Sequence, residues 1–285
     1  MISLNITREE IQSGKMQPEH LNAAIKALQE DGFVVLNDVV DRSHLEMLQD
    51  RMLEDVQMIL KRDDAPFNFN TGNVQQQPPP FPPYLFRDVL LNDMVIAVTK
   101  AMLGPGVKNS YYSGNTSLPG GQQQPVHPDV GQLWPNLKTA TPAFGFVVNV
   151  PVVDMSPQNG STQLWPGTHL DTTISVEQGD IKVPEEVLSK RQEIAPPIQP
   201  SIRCGGVLIR DIRLWHRGMP NLTDSPRPMI AMIHWIGWWN NDEPVPFPKG
   251  TEEFFLHTDL RTNARFVDES SIDHIQHAAA YDFQK

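Results

Sequence analysis

Between Glu19 and Gln29 the apolar residues Leu21, Ala24, Ile25 and Leu28 recur at helical spacing, and Asp31-Gly32 then breaks the period. The unbroken apolar run Phe33-Val34-Val35-Leu36 follows, so the predicted order is helix, turn, buried strand. A second helix is predicted from a cap at Asp41 or Ser43 to about Lys61, with Leu45, Leu48, Met52, Val56 and Ile59 along one stripe. Its methionines read as core filling. Asp88–Met102 is predicted as a third helix, stopped at Gly104-Pro105-Gly106. Beyond it the pattern changes to short segments of strand character, clearest at Lys108–Thr116, Ala143–Val153, Val207–Asp211 and Pro228–Ile236, with a helical period only at Pro184–Gln192. Strands without crossover helices pair antiparallel, which predicts a sandwich, jelly roll or barrel.

The prolines mark the same division. Of 26 in the 285 residues, only Pro18 precedes Pro66. Proline is excluded from helix interiors and central strands, so the N-terminal part should be helical and the body built of short strands and fixed turns. Residues 65–84, rich in Pro, Gln and Asn, read as a loop or lid. The length allows one large β domain, since single barrels and sandwiches reach roughly 200–250 residues. A net charge of −11, from 23 Lys+Arg against 34 Asp+Glu, argues against nucleic acid and anionic membranes as partners. The single cysteine, Cys204, reads as a small buried thiol in a reducing compartment. The first ten residues lack a signal peptide's pattern, and no apolar stretch reaches the roughly 20 residues that cross a bilayer. A soluble cytoplasmic protein is expected.

Three features could build one site. His127-Pro128-Asp129 places a histidine and a carboxylate two positions apart, on one face if the chain is extended. Such a triplet is common by chance. Further on, Gly205-Gly206 opens an apolar strand that ends in Trp215-His216, which a barrel can bring opposite the first. Two histidines and one carboxylate with the remaining positions open is the facial set that suits non-haem Fe(II) oxygenases. Arg227 then begins a return strand; if buried it needs an anion, which a dicarboxylate co-substrate would supply. The plainer alternative pairs Arg227 with Asp211 or Asp224.

In this order the residues resemble the phytanoyl-CoA dioxygenase-like branch of the Fe(II)/2-oxoglutarate-dependent oxygenases. Leu28–Leu36 is similar to its opening helix and strand, and His127 and Asp129 to its His-x-Asp. Asn159–His169, with Trp165-Pro166-Gly167-Thr168-His169, is similar to its turn and Pro-Gly-Ser-His segment, and His216, Asn221 and Arg227 to its distal stretch. The resemblance implies a double-stranded β-helix, or jelly roll, spanning 106–240, with N-terminal helices (1–64) packed on it and a C-terminal extension (241–285), all in one domain. It implies that His127, Asp129 and His216 bind Fe(II), that Arg227 pairs with the distal carboxylate of 2-oxoglutarate, and that O2 is the oxidant. Gln124 and Thr162 stand where relatives reach the co-substrate. Gly218 replaces a hydroxyl residue that some members direct at the same carboxylate, and Asp129 disfavours halogenation.

The substrate expected is small and largely apolar, in natural-product biosynthesis, and the acidic charge speaks against a CoA thioester. A homodimer is the assembly allowed for. Rival readings are the same metal triad without 2-oxoglutarate, and a non-catalytic jelly-roll binding module. His169 and His234 read as structural, and His257, His274 and His277 as surface residues. Trp134 and one of Trp238 or Trp239 are expected near the pocket.

Overall fold

The structure is a computed structural model that describes residues 3–69, 72–175, 182–240 and 243–277. The N-terminal part alternates strand and helix: β1 (Ser3–Asn5), α1 (Arg8–Ser13), α2 (Pro18–Glu30), β2 (Phe33–Asn37) and α3 (Arg42–Ile59). Pro18 fits the first turn of α2, where an N–H would have no helical partner. Asp41 caps α3 by accepting from the Ser43 N–H. The predicted stripe of α3 is buried, and of its methionines only Met52 fills the core, since Met47 and Met58 are exposed.

β3 (Phe67–Asn68) and β4 (Asn73–Gln75) follow, then α4 (Arg87–Leu90), α5 (Asp93–Leu103) and β5 (Val107–Ser117). The segment expected as a plain loop at 65–84 thus contains an edge hairpin, and its Pro78-Pro79-Pro80 run is buried. Buried Gln76 anchors it, donating to the Met52 carbonyl at 2.7 Å and accepting from the Thr116 hydroxyl at 2.6 Å. The third predicted helix is in fact two. Asn92 divides them: its amide oxygen accepts from the N–H groups of Met94 and Val95, and its nitrogen donates to the carbonyls of Val39 and Asp88. Apolar periodicity runs through the break, while a side chain that competes for backbone partners makes it.

The body comprises β6 (Gly145–Pro151), β7 (Gln163–Leu164), α6 (Glu185–Ile194), β8 (Val207–Asp211), β9 (His216–Arg217), β10 (Arg227–Trp235), β11 (Val245–Pro248), β12 (Leu260–Thr262), β13 (Ala264–Val267) and α7 (His274–His277). One nine-stranded sheet has the order β1-β2-β8-β6-β10-β5-β4-β3, with β12 joining β5. Pairing from β2 through β3 is antiparallel as expected, whereas the peripheral pairs β1–β2, β5–β12 and β11–β13 are parallel. Facing the large sheet is a layer of short pieces: the antiparallel pair β7–β9 and the isolated bridges His127–His216, Met155–Ile202 and Leu164–Ile198. The two layers form a double-stranded β-helix. Prolines 125, 128, 157, 166, 196, 197 and 200 fall in this layer, and each removes a ladder donor, which keeps its strands short.

Both faces of the large sheet are covered, so its central strands are apolar at both parities. On β10, Ile230 and Met232 join the core under the helices, and Met229 belongs to a separate cluster with Phe33, Val35 and Leu208 toward the second layer. His234 is a buried core histidine as expected, its Nδ1 3.0 Å from the Thr99 hydroxyl on α5. His274, expected at the surface, is buried with Nε2 2.7 Å from the Asp55 carboxylate, and so ties α7 to α3. His257 is half-buried against Asp93. Cys204 is half-buried rather than buried. Residues 241–242 and 278–285 of the expected extension, and the His277 side chain, lie outside the described residues.

Asn92→Ala removes a helix cap and leaves the Val39 carbonyl without its donor, so urea unfolding should show a loss of ~2 kcal/mol. A loss below about 0.5 kcal/mol would mean that α4 and α5 need no such divider.

Candidate metal and co-substrate site

His127 and Asp129 lie between β5 and β6, and His216 opens β9. Neither of the first two is in a continuous strand. Instead, His127 exchanges two backbone hydrogen bonds with His216, at 3.0 and 2.9 Å, and the Asp129 N–H donates to the Ile212 carbonyl at 3.1 Å. The same short stretch, residues 212–216, thereby fixes both members of the His-x-Asp triplet. Each imidazole Nδ1 lies against a carbonyl two residues earlier, His127 on Pro125 at 2.8 Å and His216 on Leu214 at 2.9 Å. A carbonyl only accepts, so Nδ1 carries the hydrogen and Nε2 presents the lone pair. The three side-chain ligand atoms lie within 4.8 Å of one another, with Asp129 Oδ1 3.5 Å from His216 Nε2.

The charges suit a cation. Burial alone would raise the Asp129 pKa, but Arg210 at 2.7 Å and the two imidazoles outweigh it and bring it down to about 2. Burial, aided by Arg210, lowers His216 to about 3, and burial also lowers His127. The resting site is therefore one carboxylate and two neutral imidazoles, the protonation states that a divalent metal requires.

These residues line a cavity of about 480 Å³ together with Gln124, Thr162 and Arg227. Arg227 begins β10 and is buried; its Nη2 donates to the Gly160 carbonyl at 2.8 Å and its Nε to the Asn159 carbonyl at 3.4 Å. Gly160 holds a φ of +76°, and a Cβ there would lie 2.6 Å from the Met219 carbonyl, so the turn that receives Arg227 requires glycine. Nη1 is buried with no hydrogen-bond partner. Burial draws the Arg227 pKa down to about 10, which leaves the guanidinium charged at neutral pH. Neither Asp211 nor Asp224 pairs with it; Asp211 is held by Arg213 at 2.7 Å. Arg227 is thus a buried cation with no carboxylate partner among the described residues, an arrangement that leaves its charge without a counter-ion from the protein.

Gln124 and Gly218 form a matched pair. Their backbones bond at 2.9 Å, the Gly218 N–H donates to Gln124 Oε1 at 2.8 Å, and a Cβ at position 218 would lie 2.8 Å from that oxygen. A hydroxyl side chain at 218 and this placement of Gln124 exclude each other. Sequence reasoning missed Arg210, Asn149 and Tyr111, which line the same cavity. A charged residue interrupting the apolar run Val207–Ile212 at an inward position was the available signal for Arg210. Trp235 lines the cavity, with Trp239 stacked on it at 4.6 Å, whereas Trp134 and Trp238 are exposed and do not line it. His169 is structural, its Nε2 3.2 Å from the Gln29 carbonyl.

The fold is that of the double-stranded β-helix enzymes. AviO1 from Streptomyces viridochromogenes Tue57 superposes with a TM-score of 0.56 at 20% identity, over 77% of this chain and 96% of that one. SnoN, a non-haem α-ketoglutarate-dependent epimerase from nogalamycin biosynthesis, gives 0.53 at 16% identity over 77% and 84%; it has also been crystallised with Fe3+, α-ketoglutarate and nogalamycin RO. Dioxygenase af480 of Aspergillus fumigatus is 26% identical over 214 residues, 73% of this chain and 64% of the relative's length. The sequence profile of the phytanoyl-CoA dioxygenase (PhyH) family matches residues 28–229, and the chain belongs to that family.

The donor set predicts that one Co(II) or Fe(II) binds per chain in isothermal titration calorimetry. His216→Ala or Asp129→Ala should weaken that binding by at least ~100-fold.

Proposed function

We propose that this chain is an Fe(II)- and 2-oxoglutarate-dependent dioxygenase that oxidises a C–H bond of a small, largely apolar organic molecule, by hydroxylation, desaturation or a related reaction. The observation that carries the reading is Arg227: a buried cation with an unpartnered Nη1, in the same cavity as the His127, Asp129 and His216 donors. The chemistry supplied by iron, 2-oxoglutarate and O2 is decarboxylation of the oxo-acid to succinate, coupled to two-electron oxidation of the substrate.

The protein's own residues then have distinct tasks. His127, Asp129 and His216 hold the metal. Arg227 receives the distal carboxylate of 2-oxoglutarate, and Gln124 and Thr162, which line the same cavity, are placed to contact the co-substrate. Val130, Val147, Ile212, Ile233 and Trp235 give the cavity an apolar wall that excludes water and accepts an apolar substrate. Arg210 is already paired with Asp129, so the lining offers no further cation for a phosphate-rich thioester. This supports a neutral or weakly charged substrate. The natural-product setting is supported by SnoN, which belongs to nogalamycin biosynthesis. The proposal extends to one catalytic domain, a cytoplasmic location, and action alone or as a homodimer.

Succinate formation with Fe(II), 2-oxoglutarate, O2 and a panel of apolar natural products tests the reading. Arg227→Ala should weaken 2-oxoglutarate binding roughly 10- to 100-fold, and His127→Ala should abolish turnover. Unchanged 2-oxoglutarate affinity in Arg227→Ala would favour a metal enzyme that does not use this co-substrate.

A further inference from the structure

We infer that Arg210 is a positioning residue that restricts Asp129 to a single ligand oxygen and thereby keeps open the coordination position that the co-substrate needs. The inference rests on the metal and 2-oxoglutarate reading above.

Arg210 lies on β8, where its neighbours Leu208, Ile209 and Ile212 are fully buried apolar residues. Its side chain is 7% exposed, which is a costly place for a guanidinium unless a partner repays the lost hydration. Two partners do so. Nη1 lies 2.7 Å from Asp129 Oδ2 as an ion pair, close in distance though not aligned as a hydrogen bond, and Nε donates to Asn149 Oδ1 at 3.2 Å. Asn149 projects from the adjacent strand β6, which pairs with β8 through Val147–Arg210 and Asn149–Leu208, so the guanidinium is held by the sheet and not by a loop. By contrast, Asp129 sits outside any strand, and its backbone is held through its own N–H and that of Val130, both on the Ile212 carbonyl. Arg210 is thus the rigid member of the pair and Asp129 the one being oriented.

A carboxylate has two equivalent oxygens and can bind one cation through either or both. Here the two oxygens are made unequal. Oδ2 is taken by Arg210, while Oδ1 stands 3.5 Å from His216 Nε2. With one oxygen from Asp129 and one nitrogen from each histidine, a six-coordinate ion keeps three positions for other ligands. Were Asp129 to chelate through both oxygens, only two would remain. A co-substrate binding through two atoms and O2 together require three.

The test separates this role from packing. Wild-type, Arg210→Met and Arg210→Lys proteins are loaded with Co(II), whose visible absorption reports its ligand set, and are titrated with 2-oxoglutarate. Arg210→Met retains the volume of the stem and removes the clamp. It should bind Co(II) within a few-fold of wild type, show an altered Co(II) spectrum before 2-oxoglutarate is added, and bind 2-oxoglutarate roughly 10- to 100-fold more weakly. Arg210→Lys, which keeps the charge, should recover part of that loss. If Arg210→Met fails to fold, Asn149→Ala, which frees the guanidinium from its strand support, should shift the spectrum and the 2-oxoglutarate affinity in the same direction by less. A wild-type spectrum and wild-type 2-oxoglutarate affinity in the folded variants would overturn the inference. Failure of wild type itself to bind Co(II) or 2-oxoglutarate would instead overturn the functional reading on which it rests.

Discussion

Two backbone hydrogen bonds between His127 and His216 hold the site together, because they join two stretches of chain far apart in sequence at the point where both imidazoles meet. Each ring is then oriented by a carbonyl two residues earlier in its own segment, so the antiparallel bridge fixes positions and the local carbonyls fix tautomers. Residues 212–216 contribute most of this. Ile212 receives the Asp129 N–H, Leu214 orients His216, and the Thr168 hydroxyl accepts from the Trp215 N–H at 2.9 Å to tie the stretch to the Pro166-Gly167 turn. The second layer lacks long ladders, and single bridges at chosen residues take their place.

An acidic protein carries its decisive cations inside. The net charge of −11 counts the whole chain, and within it Arg210, Arg213 and Arg227 are buried beside the β-helix interior. Their partners differ, and so do their roles. Arg213 is held by Asp211 and by the Thr141 carbonyl at 2.8 Å, which closes a structural network. Arg210 is matched to the carboxylate of Asp129, a member of the candidate metal-binding group. Among the described residues Arg227 has carbonyl oxygens as its partners, which hydrogen-bond to it without neutralising it. Burial without a neutralising partner is costly for a guanidinium, which is why the proposed function gives it an anionic ligand.

Much of this was legible in the sequence, and for physical reasons. The helices α2 and α3 and the strands β2, β5, β6, β8 and β10 follow from apolar periodicity, because burial on one face or on both leaves that mark directly. The triad was legible as residue types in order. Less legible was whatever depends on a side chain competing with backbone: the break at Asn92 interrupts no apolar pattern, and the burial of the 78–80 proline run depends on Gln76 reaching Met52 and Thr116. The surface reading of His274 failed because its partner, Asp55, is over two hundred positions away. The sequence pointed to Trp134 and one of Trp238 or Trp239, whereas the cavity wall is Trp235, with Trp239 stacked on it; its inward position follows from its parity with Arg227 on one strand.

That parity also orders the cavity lining. The inward positions of β10 read Arg227, Met229, Ala231, Ile233 and Trp235, from a cation at one end to an aromatic wall at the other, along about 26 Å of strand. Across the sheet, Ala231 is in register with Asn149, and Ile233 with Val147, which is in turn in register with Arg210. Since Arg210 and Asn149 hold each other and Arg210 reaches Asp129, that carboxylate is tied to the part of the sheet in register with Ala231–Ile233, between the two ends. Alanine at 231 gives the side chains above it room. On the proposed function, a dicarboxylate anchored at Arg227 would reach the triad from one side, and the apolar wall of Val147, Ile233 and Trp235 would leave the other side to the substrate. One strand, by alternating its residues, carries the cation and the aromatic wall at opposite ends of the cavity lining.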